Sequence, residues 1–578
     1  MLITLVGLLV VFLFLIEIPA GTAQLGPEID SVPPTIEIAY CSEPIVEPGI
    51  ITVRGRSSDQ ESGISKVEGF SHTYPFDNQF PFKLAVPANP GDWSEWSMPL
   101  EIFDTRTRAL IRATDNSGNE NWDEIFIDIN ETQNKLSAAA ADKSVAFVDP
   151  SFTAAAYNVD SFYSFYAKYR NVTAGQNITS DLNFMTGDIP GPDRAYMEPF
   201  VESVKKFAPD HEVVILTDTD VHDGLIFAKH VDESINFEKN AFDVLFLLHD
   251  EYVTQQQYDN FRRFVSNGGV LVFLDGNIFY GEVTYDRKYC TATLVKGHDW
   301  EFDGESVRRS VAERYFNETR EWVGSNFWFN DISDPVTFEN NPYNATHFEE
   351  NYVTNPRATI IHDYEMKLGE DYEGDPSDSN KVIATYELGY GKGKVIFLGT
   401  YAEREATNPL FHKFFRNVVL MHALAPYYEI FTDDPAVSFP IYYRSEGVDI
   451  ADVFIDVESK TLTLTVERSE PQREGSIQLV LPKDVIDVAS DPDQNQNEPG
   501  EPTNLVVLVD GKRIRYAEYA VSKERVLTVP LSAGAETIDI EIIGTKIVPE
   551  FPYLSLILVV TFTVVCIVTG IGKSQRIM

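Results

Sequence analysis

At 578 residues the chain is too long for one hydrophobic core, and its 43% hydrophobic and 12% aromatic content suits several folded domains rather than extended disorder. A formal net charge of −43 excludes a nucleic-acid binder, whose partner's phosphates would be repelled. The same acidity fits a surface bathed in salt or divalent cations and names no partner.

The first element is apolar. Residues 2–16, LITLVGLLVVFLFLI, are followed by Pro19 and the small residues AGTA, which predicts a secretory signal (1–23) cleaved after Ala23. An uncleaved anchor is the alternative. Residues 32–133 then read as a β-sandwich of short strands punctuated by Gly, Pro and Asp. Its segments ITVRGRSSDQESGISKVE and ALIRATDNSGNENWDEIFIDI resemble bacterial and archaeal Ig-like surface domains. Asp59, Asp115 and Asn119 either cap strand turns or offer oxygen ligands to calcium at one loop end.

NKLSAAAAD, 134–142, reads as a small-residue linker. Beyond it the runs SVAFVD, EVVILTD, DVLFLLHD and GVLVFLDG alternate with helical stretches such as AYMEPFVESVKKFA. Short continuous apolar runs separated by helices predict a central, doubly wound α/β domain over 143–426. Alternating strands from KTLTLTVER to TIDIEIIG predict a second β-sandwich over 427–547. Residues 553–571 are apolar and long enough to span a bilayer, with Lys573 and Arg576 beyond them. The expected protein is therefore single-pass in the cell membrane, with the bulk of the chain extracellular.

Three cysteines stand at 41, 290 and 566. A Cys41–Cys290 disulfide is not expected, because the two fall in different predicted domains. Sequons at Asn130, Asn171, Asn177, Asn317 and Asn344 suit a secreted chain.

Residues 243–280 carry the densest chemistry. Val244–Leu248 reads as a buried strand, Thr254-x-x-Gln257 as a capping box, and Tyr258, Phe261, Phe264 and Val265 as the buried face of a helix. Gly268-Gly269 stops that helix, and Val270–Leu274 is the next strand. Such a compact strand–helix–strand unit is a parallel crossover, so both strands end at the same edge of the sheet. His249, Glu251, Tyr252, Asn277 and Tyr280 should converge there, in the crevice where open α/β sheets bind ligands. Asp149 and Asp218 end other candidate strands, and Tyr401 and Glu403 follow VIFLG. Polar residues are expected at any such edge; a histidine, a carboxylate and two phenols together supply acid–base groups and oxygen ligands. No G-x-C-x-G or G-x-S-x-G elbow, Walker loop, dinucleotide glycine pattern or H-E-x-x-H is present.

HDEYVT, a helix, GG, an apolar strand, GN and Tyr280, in that order, resemble the C-terminal domain of the N,N-dimethylformamidase β (large) subunit. EVVILTDTDVHDG upstream, and YGKGKVIFLG with NPLFHKFFRNVVL downstream, suit the same pattern. The resemblance implies a glutamine-amidotransferase-like sheet and an iron, held by two tyrosines and a glutamate, that hydrolyses a small amide. Tyr252 is carried over by motif; Tyr280 is placed as second phenol by position and Glu321 by a loose match of NETREWVGSNFW. His249, Glu251 and Asn277 are then the candidate catalytic groups. Val253 and Gly281 stand where the family has large residues.

At the C-terminus, VDGKRI…LTVPLSAGAETIDIEIIGTKIVPEFP, followed by the span and a basic end, resembles the sorting tail of thaumarchaeal surface proteins. Its motif is Pro549-Glu550-Phe551. The implied partners are the membrane through the C-terminal helix, the surface layer and a small-molecule ligand, with no nucleic acid. Two readings compete with the hydrolase. One is a non-catalytic surface or binding protein with a ligand-binding or degenerate crevice. The other is glycan handling, with Trp300, Trp322 and Trp328 stacking on sugars rather than packing in the core.

Overall fold

The strand-forming segments dominate the architecture. The computed structural model describes residues 30–40, 48–73, 81–103, 106–157, 179–182, 194–230, 234–276, 278–297, 316–328, 336–344, 350–431, 438–468, 470–488 and 504–547. The chain divides into two units, residues 1–40 with 48–127, and residues 41–47 with 128–578.

In the first unit, alternation of apolar and polar residues builds two four-stranded antiparallel sheets. One runs, in spatial order, Thr35–Ala39, Gly49–Ser58, Asp92–Ile102, Val86–Asn89; the other runs Lys83–Leu84, Ile64–Thr73, Arg106–Asp115, Glu120–Asp128. Val53, Val67, Trp96, Met98, Leu100 and Ile111 fill the core between them.

The second unit begins with α1 (Ile129–Ala139), β1 (Ser144–Asp149) and α2 (Ser151–Tyr157). There follow α3 (Arg194–Phe207), β2 (Glu212–Thr217), α4 (Asp218–His222), β3 (Val244–Leu247), α5 (Gln255–Ser266), β4 (Val270–Phe273) and α6 (Phe316–Trp322). Three strands, β5 (Thr359–Asp363), β6 (Ala384–Tyr390) and β7 (Gly393–Phe397), complete the central sheet. Its spatial order is β2-β1-β3-β4-β7-β6-β5. The first five strands are mutually parallel, whereas β6 is antiparallel to β7 and β5 to β6.

Side-chain alternation splits the sheet's residues between two cores. Phe147, Phe246, Val272 and Ile396 meet α3 and the helical run Phe411–Met421 on one face. Val148, Leu247, Phe273 and Phe397 meet Val221, Tyr258, Phe261 and Trp322 on the other.

The expected fold class needs correction. The described residues are 50% strand and 18% helix, so this part of the chain is mainly β, and its central region is not a doubly wound α/β domain. The hairpin β6–β7 replaces a helical crossover, and further small sheets add to the strand content, such as Thr179–Asp181, Thr291–Gly297, Gly281–Asp286 and Tyr252–Val253 in spatial order. The apolar runs marked buried strands correctly, but burial does not require a helix between each pair.

The presumed linker at 134–142 is also different, because most of it belongs to α1. Alanine is the strongest helix former, Ala138 is buried, and Lys135 pairs with Asp220 at 2.7 Å.

The strands at 427–547 form two five-stranded antiparallel sheets. Tyr427–Phe431, Ser438–Glu446, Gly475–Pro482, Glu524–Leu531 and Ala517–Ala520 make one; Val448–Asp456, Thr461–Arg468, Thr537–Ile543, Val506–Val509 and Lys512–Arg513 make the other. A buried network joins the first of these to the central sheet. His422 lies 3.1 Å from Glu387 Oε2 on β6 and 2.9 Å from Glu524 Oε2. Lys394 on β7 also reaches Glu387 (3.1 Å) and donates to the Tyr442 hydroxyl at 2.7 Å.

No helix among the described residues is long and apolar enough to cross a membrane. The expected signal (1–23) and span (553–571) both lie outside the described residues. Cys290 is disulfide-bonded; Cys41 and Cys566, the other two cysteines, lie outside them.

Candidate active site

Because β2, β1, β3, β4 and β7 are parallel, the residues just after them gather at one edge of the sheet. These are Asp218, Asp149, His249 to Glu251, Asp275 and Tyr401. At their centre the His249 imidazole lies between two carboxylates. Its Nε2 is 3.5 Å from Glu251 Oε2, and its Nδ1 is 3.6 Å from Asp275 Oδ2. The Tyr157 hydroxyl, at the end of α2, donates to Glu251 Oε2 at 2.6 Å. The rings of Tyr157 and Tyr401 stand edge-on to the imidazole, with centroids 6.3 and 5.5 Å away.

Local backbone bonds hold the strand end in place. The Thr153 hydroxyl oxygen accepts from the Glu251 N–H at 3.0 Å and the Tyr252 N–H at 3.2 Å. The Glu251 and Asp250 carbonyls accept from Gly281 N and Phe279 N. Phe279 has φ +55°, an uncommon left-handed conformation for an aromatic residue. Its ring stacks on Phe261 and Trp322, and that packing holds the turn.

A second group lies beside the first. Asp218 accepts from the Phe152 N–H at 2.7 Å and from the Gln257 side chain. Burial pushes the Asp218 carboxyl up to about 7 against its hydrogen bonds, with Asp149 adding repulsion. Burial and the neighbouring Asp218 raise Asp250 well above the carboxylate range. These two carboxyls therefore hold a proton near neutrality. Burial alone would lower the His249 pKa, but Asp275 and Glu251 override it and keep the imidazole charged well above 6.5. The arrangement is an imidazolium between two carboxylates, backed by a protonated carboxyl pair, which can donate and accept protons within a few ångströms.

The other expected site residues are placed as follows. Tyr280 is buried, and its hydroxyl donates to the Gly276 carbonyl at 3.2 Å. Tyr252 is fully buried, in an apolar cluster with Phe152, Ala156, Val283, Ala292 and Leu294. Its ring lies against Gly281, where an added Cβ would be 2.5 Å from a ring atom, so a large residue does not fit at 281 while Tyr252 holds this position. Glu321 is exposed on α6. Asn277 lies outside the described residues. The structure thus brings His249 and Glu251 together, whereas Tyr252 lies among apolar side chains, Tyr280 bonds the Gly276 carbonyl and Glu321 is exposed.

Trp322 packs in the core with Tyr258 and Phe279, its Nε1 donating to the Tyr258 hydroxyl at 2.8 Å. Trp300 lies outside the described residues, and Trp328 ends the strand Ser325–Trp328. Asp275, Tyr157, Asp250 and Gln257 were missed as site groups. Asp275 follows β4 just as His249 follows β3, and that parallel was available in the sequence. Gln257 was read only as a capping partner. Thr254 does cap α5 by accepting from Gln257 N, but the Gln257 side chain turns to Asp218 instead of completing the box.

A cavity of about 1140 Å³ lies at the opposite edge of the sheet, lined by the strand-starting residues Ser144, Val244 and Val270. It does not touch the His249 group.

Residues 108–362 match the family described as N,N-dimethylformamidase beta subunit-like, C-terminal. The resemblance read from HDEY and GN therefore holds over a stretch running from the Arg106–Asp115 strand into β5. YGKGKVIFLG and NPLFHKFFRNVVL lie beyond it. No curated protein matches the chain.

Among solved structures, similar chains include the β-galactosidase of the Antarctic haloarchaeon Halorubrum lacusprofundi. It is 11% identical, with 71% of this chain and 43% of that one covered, at a TM-score of 0.26. A β-galactosidase from Bacillus circulans sp. alkalophilus is 10% identical, covering 61% and 38%, at 0.20. A ThuA-like protein from Bacteroides uniformis is 12% identical, covering 47% and 90%, at 0.19. The chain spans less than half the length of the two galactosidases, and scores this low carry no argument.

Proposed function

We propose that this is a membrane-anchored extracellular protein whose dimethylformamidase-like region hydrolyses the C–N bond of a small amide. The observation that carries the reading is the His249 imidazole between Glu251 and Asp275, with Tyr157 on Glu251. In this mechanism Glu251 takes a proton from water as the oxygen adds to the amide carbonyl carbon. His249 then gives its proton to the departing nitrogen as the C–N bond breaks, leaving an acid and an amine. Asp275 orients the imidazole and keeps it charged. The family match supports an amide substrate, and the disulfide at Cys290 suits an oxidising, extracellular compartment. The apolar run 553–571 supplies the anchor.

The test is amine release from formamide and N,N-dimethylformamide by the purified full chain, with and without a chelator. Release should survive chelation and vanish in His249→Asn and Glu251→Gln while both variants stay folded. No release from any small amide, or equal release from the variants, sinks the mechanism.

One observation favours a second reading. His249 and Glu251 are only 3% and 1% exposed, as expected of a non-catalytic crevice whose charges organise the fold or a bound small molecule. In that case both variants would lose stability and no amide would be turned over.

A further inference from the structure

The first unit holds a feature that the hydrolase reading does not use. Asp30, Asp59 and Asp115 each bring a carboxylate oxygen to within 4.8 Å of the others. Asp59 lies in the turn before the Ile64–Thr73 strand, Asp115 ends the Arg106–Asp115 strand, and Asp30 precedes Thr35–Ala39. Asp30 and Asp115 are 8% and 2% exposed.

Most oxygens of the trio have ordinary turn duties. Asp59 accepts from Ser62 N and Gly63 N at 2.6 Å each. Asp115 Oδ1 accepts from Ser117 N and Asn119 N, both at 2.8 Å. Asp30 Oδ1 accepts from Val32 N at 2.9 Å. Asp30 Oδ2, by contrast, is buried and has no hydrogen-bond partner. Among the described residues, none of the three carboxylates pairs with a Lys, Arg or His.

A buried carboxylate oxygen with no donor and no basic partner, on a residue grouped with two further carboxylates, is strongly unfavourable unless a cation completes the group. We infer that Asp30, Asp59 and Asp115 form a calcium site that fastens the segment before the first strand to two turns of the sandwich. Oxygen-only donors on loops suit calcium's flexible coordination better than the tighter octahedron of magnesium. Asn119, expected as a ligand, is instead a brace. Its side-chain amide donates to Asp115 Oδ2 at 2.8 Å and to the Asp30 carbonyl at 3.1 Å, aligning two of the ligands.

The test is calcium titration of the chelator-stripped full chain by calorimetry, with melting followed in parallel, for wild type, Asp30→Asn and Asp59→Asn. Asp30→Asn keeps the oxygen that caps Val32 N and removes only charge. Wild type should bind calcium with a Kd of about 10⁻⁴–10⁻³ M and melt at higher temperature when loaded. Each variant should bind at least tenfold more weakly, and stripped Asp30→Asn should melt no lower than stripped wild type because repulsion is relieved. The proposal is overturned if wild type and Asp30→Asn show the same calcium isotherm and melting response. It is equally overturned if Asp30→Asn melts lower than wild type in chelator, which would show that the Asp30 charge stabilises the metal-free fold.

Discussion

Two histidines in this chain each lie between two carboxylates, and they differ in how tightly they are held. His422 contacts Glu387 and Glu524 at 3.1 and 2.9 Å, and Lys394 and Tyr442 also reach Glu387. His249 contacts Glu251 and Asp275 only at 3.5 and 3.6 Å, with Asp218 and Asp250 holding a proton close by. Similar ingredients serve two ends. Short bonds and an added lysine make a fastening that any exchange of protons weakens. Longer contacts and surplus carboxyls leave protons able to move.

The largest effect should come from breaking the fastening. His422→Ala leaves buried Glu524 and half-buried Glu387 without their shared cation and should cost about 3–5 kcal/mol in urea unfolding, with amide turnover per folded molecule unchanged. A loss of turnover in the folded variant would erase the distinction between the two histidines.

The pH dependence sharpens the same contrast. Burial opposes the His422 charge, but its carboxylates raise the pKa from 6.5 to about 9. The stabilisation is therefore fully present below pH 6.5 and lost as pH rises through 9, a span worth about 3 kcal/mol. Asp218 lies near 7 rather than 3.8, so the folded state keeps a proton that the unfolded state releases. Stability should fall as pH rises from about 4 to 7, by up to about 4 kcal/mol. Melting temperatures across pH 4–10 should show both losses. Asp218→Asn should reduce the lower loss, to which Asp250 also contributes, and His422→Gln the upper one, to which His249 also contributes.

His249→Asn should abolish turnover yet cost less stability than His422→Asn in matched unfolding curves, since its contacts are longer. Equal costs would make His249 a second fastening. The smallest effect is at the helix start beside the site, where Thr254→Ala removes the cap on α5 and should cost about 1 kcal/mol, read from the urea midpoint.

The region from β3 to β4 was legible in the sequence because its information is local. The cap at Thr254, the buried Tyr258, Phe261, Phe264 and Val265, and Gly268 at φ +120° each follow from neighbours a few residues away. What escaped depends on distant partners. Tyr157 meets Glu251, and Thr153 meets the same strand end, across nearly a hundred residues. The turn of Gln257 toward Asp218 has no signature in Thr-x-x-Gln. Tyr252 was placed at the correct edge, but period-two alternation could not say that its ring packs against Gly281 instead of facing a ligand. The mixed sheet was missed because a buried strand reads the same whether its neighbour arrives by helix or hairpin.

One feature of the sheet governs how the chain must be made. β4 pairs with β7, which is encoded roughly 120 residues later (Val270 opposite Lys394). Until that strand is synthesised, β4 offers an open edge of unpaired backbone groups, Val-Leu-Val-Phe, suited to pairing with another chain. If synthesis pauses or the chain is truncated between residues 274 and 392, the product should aggregate rather than fold partially. Late closure also means that Tyr401, which stands beside His249, reaches the site only after the sheet is complete.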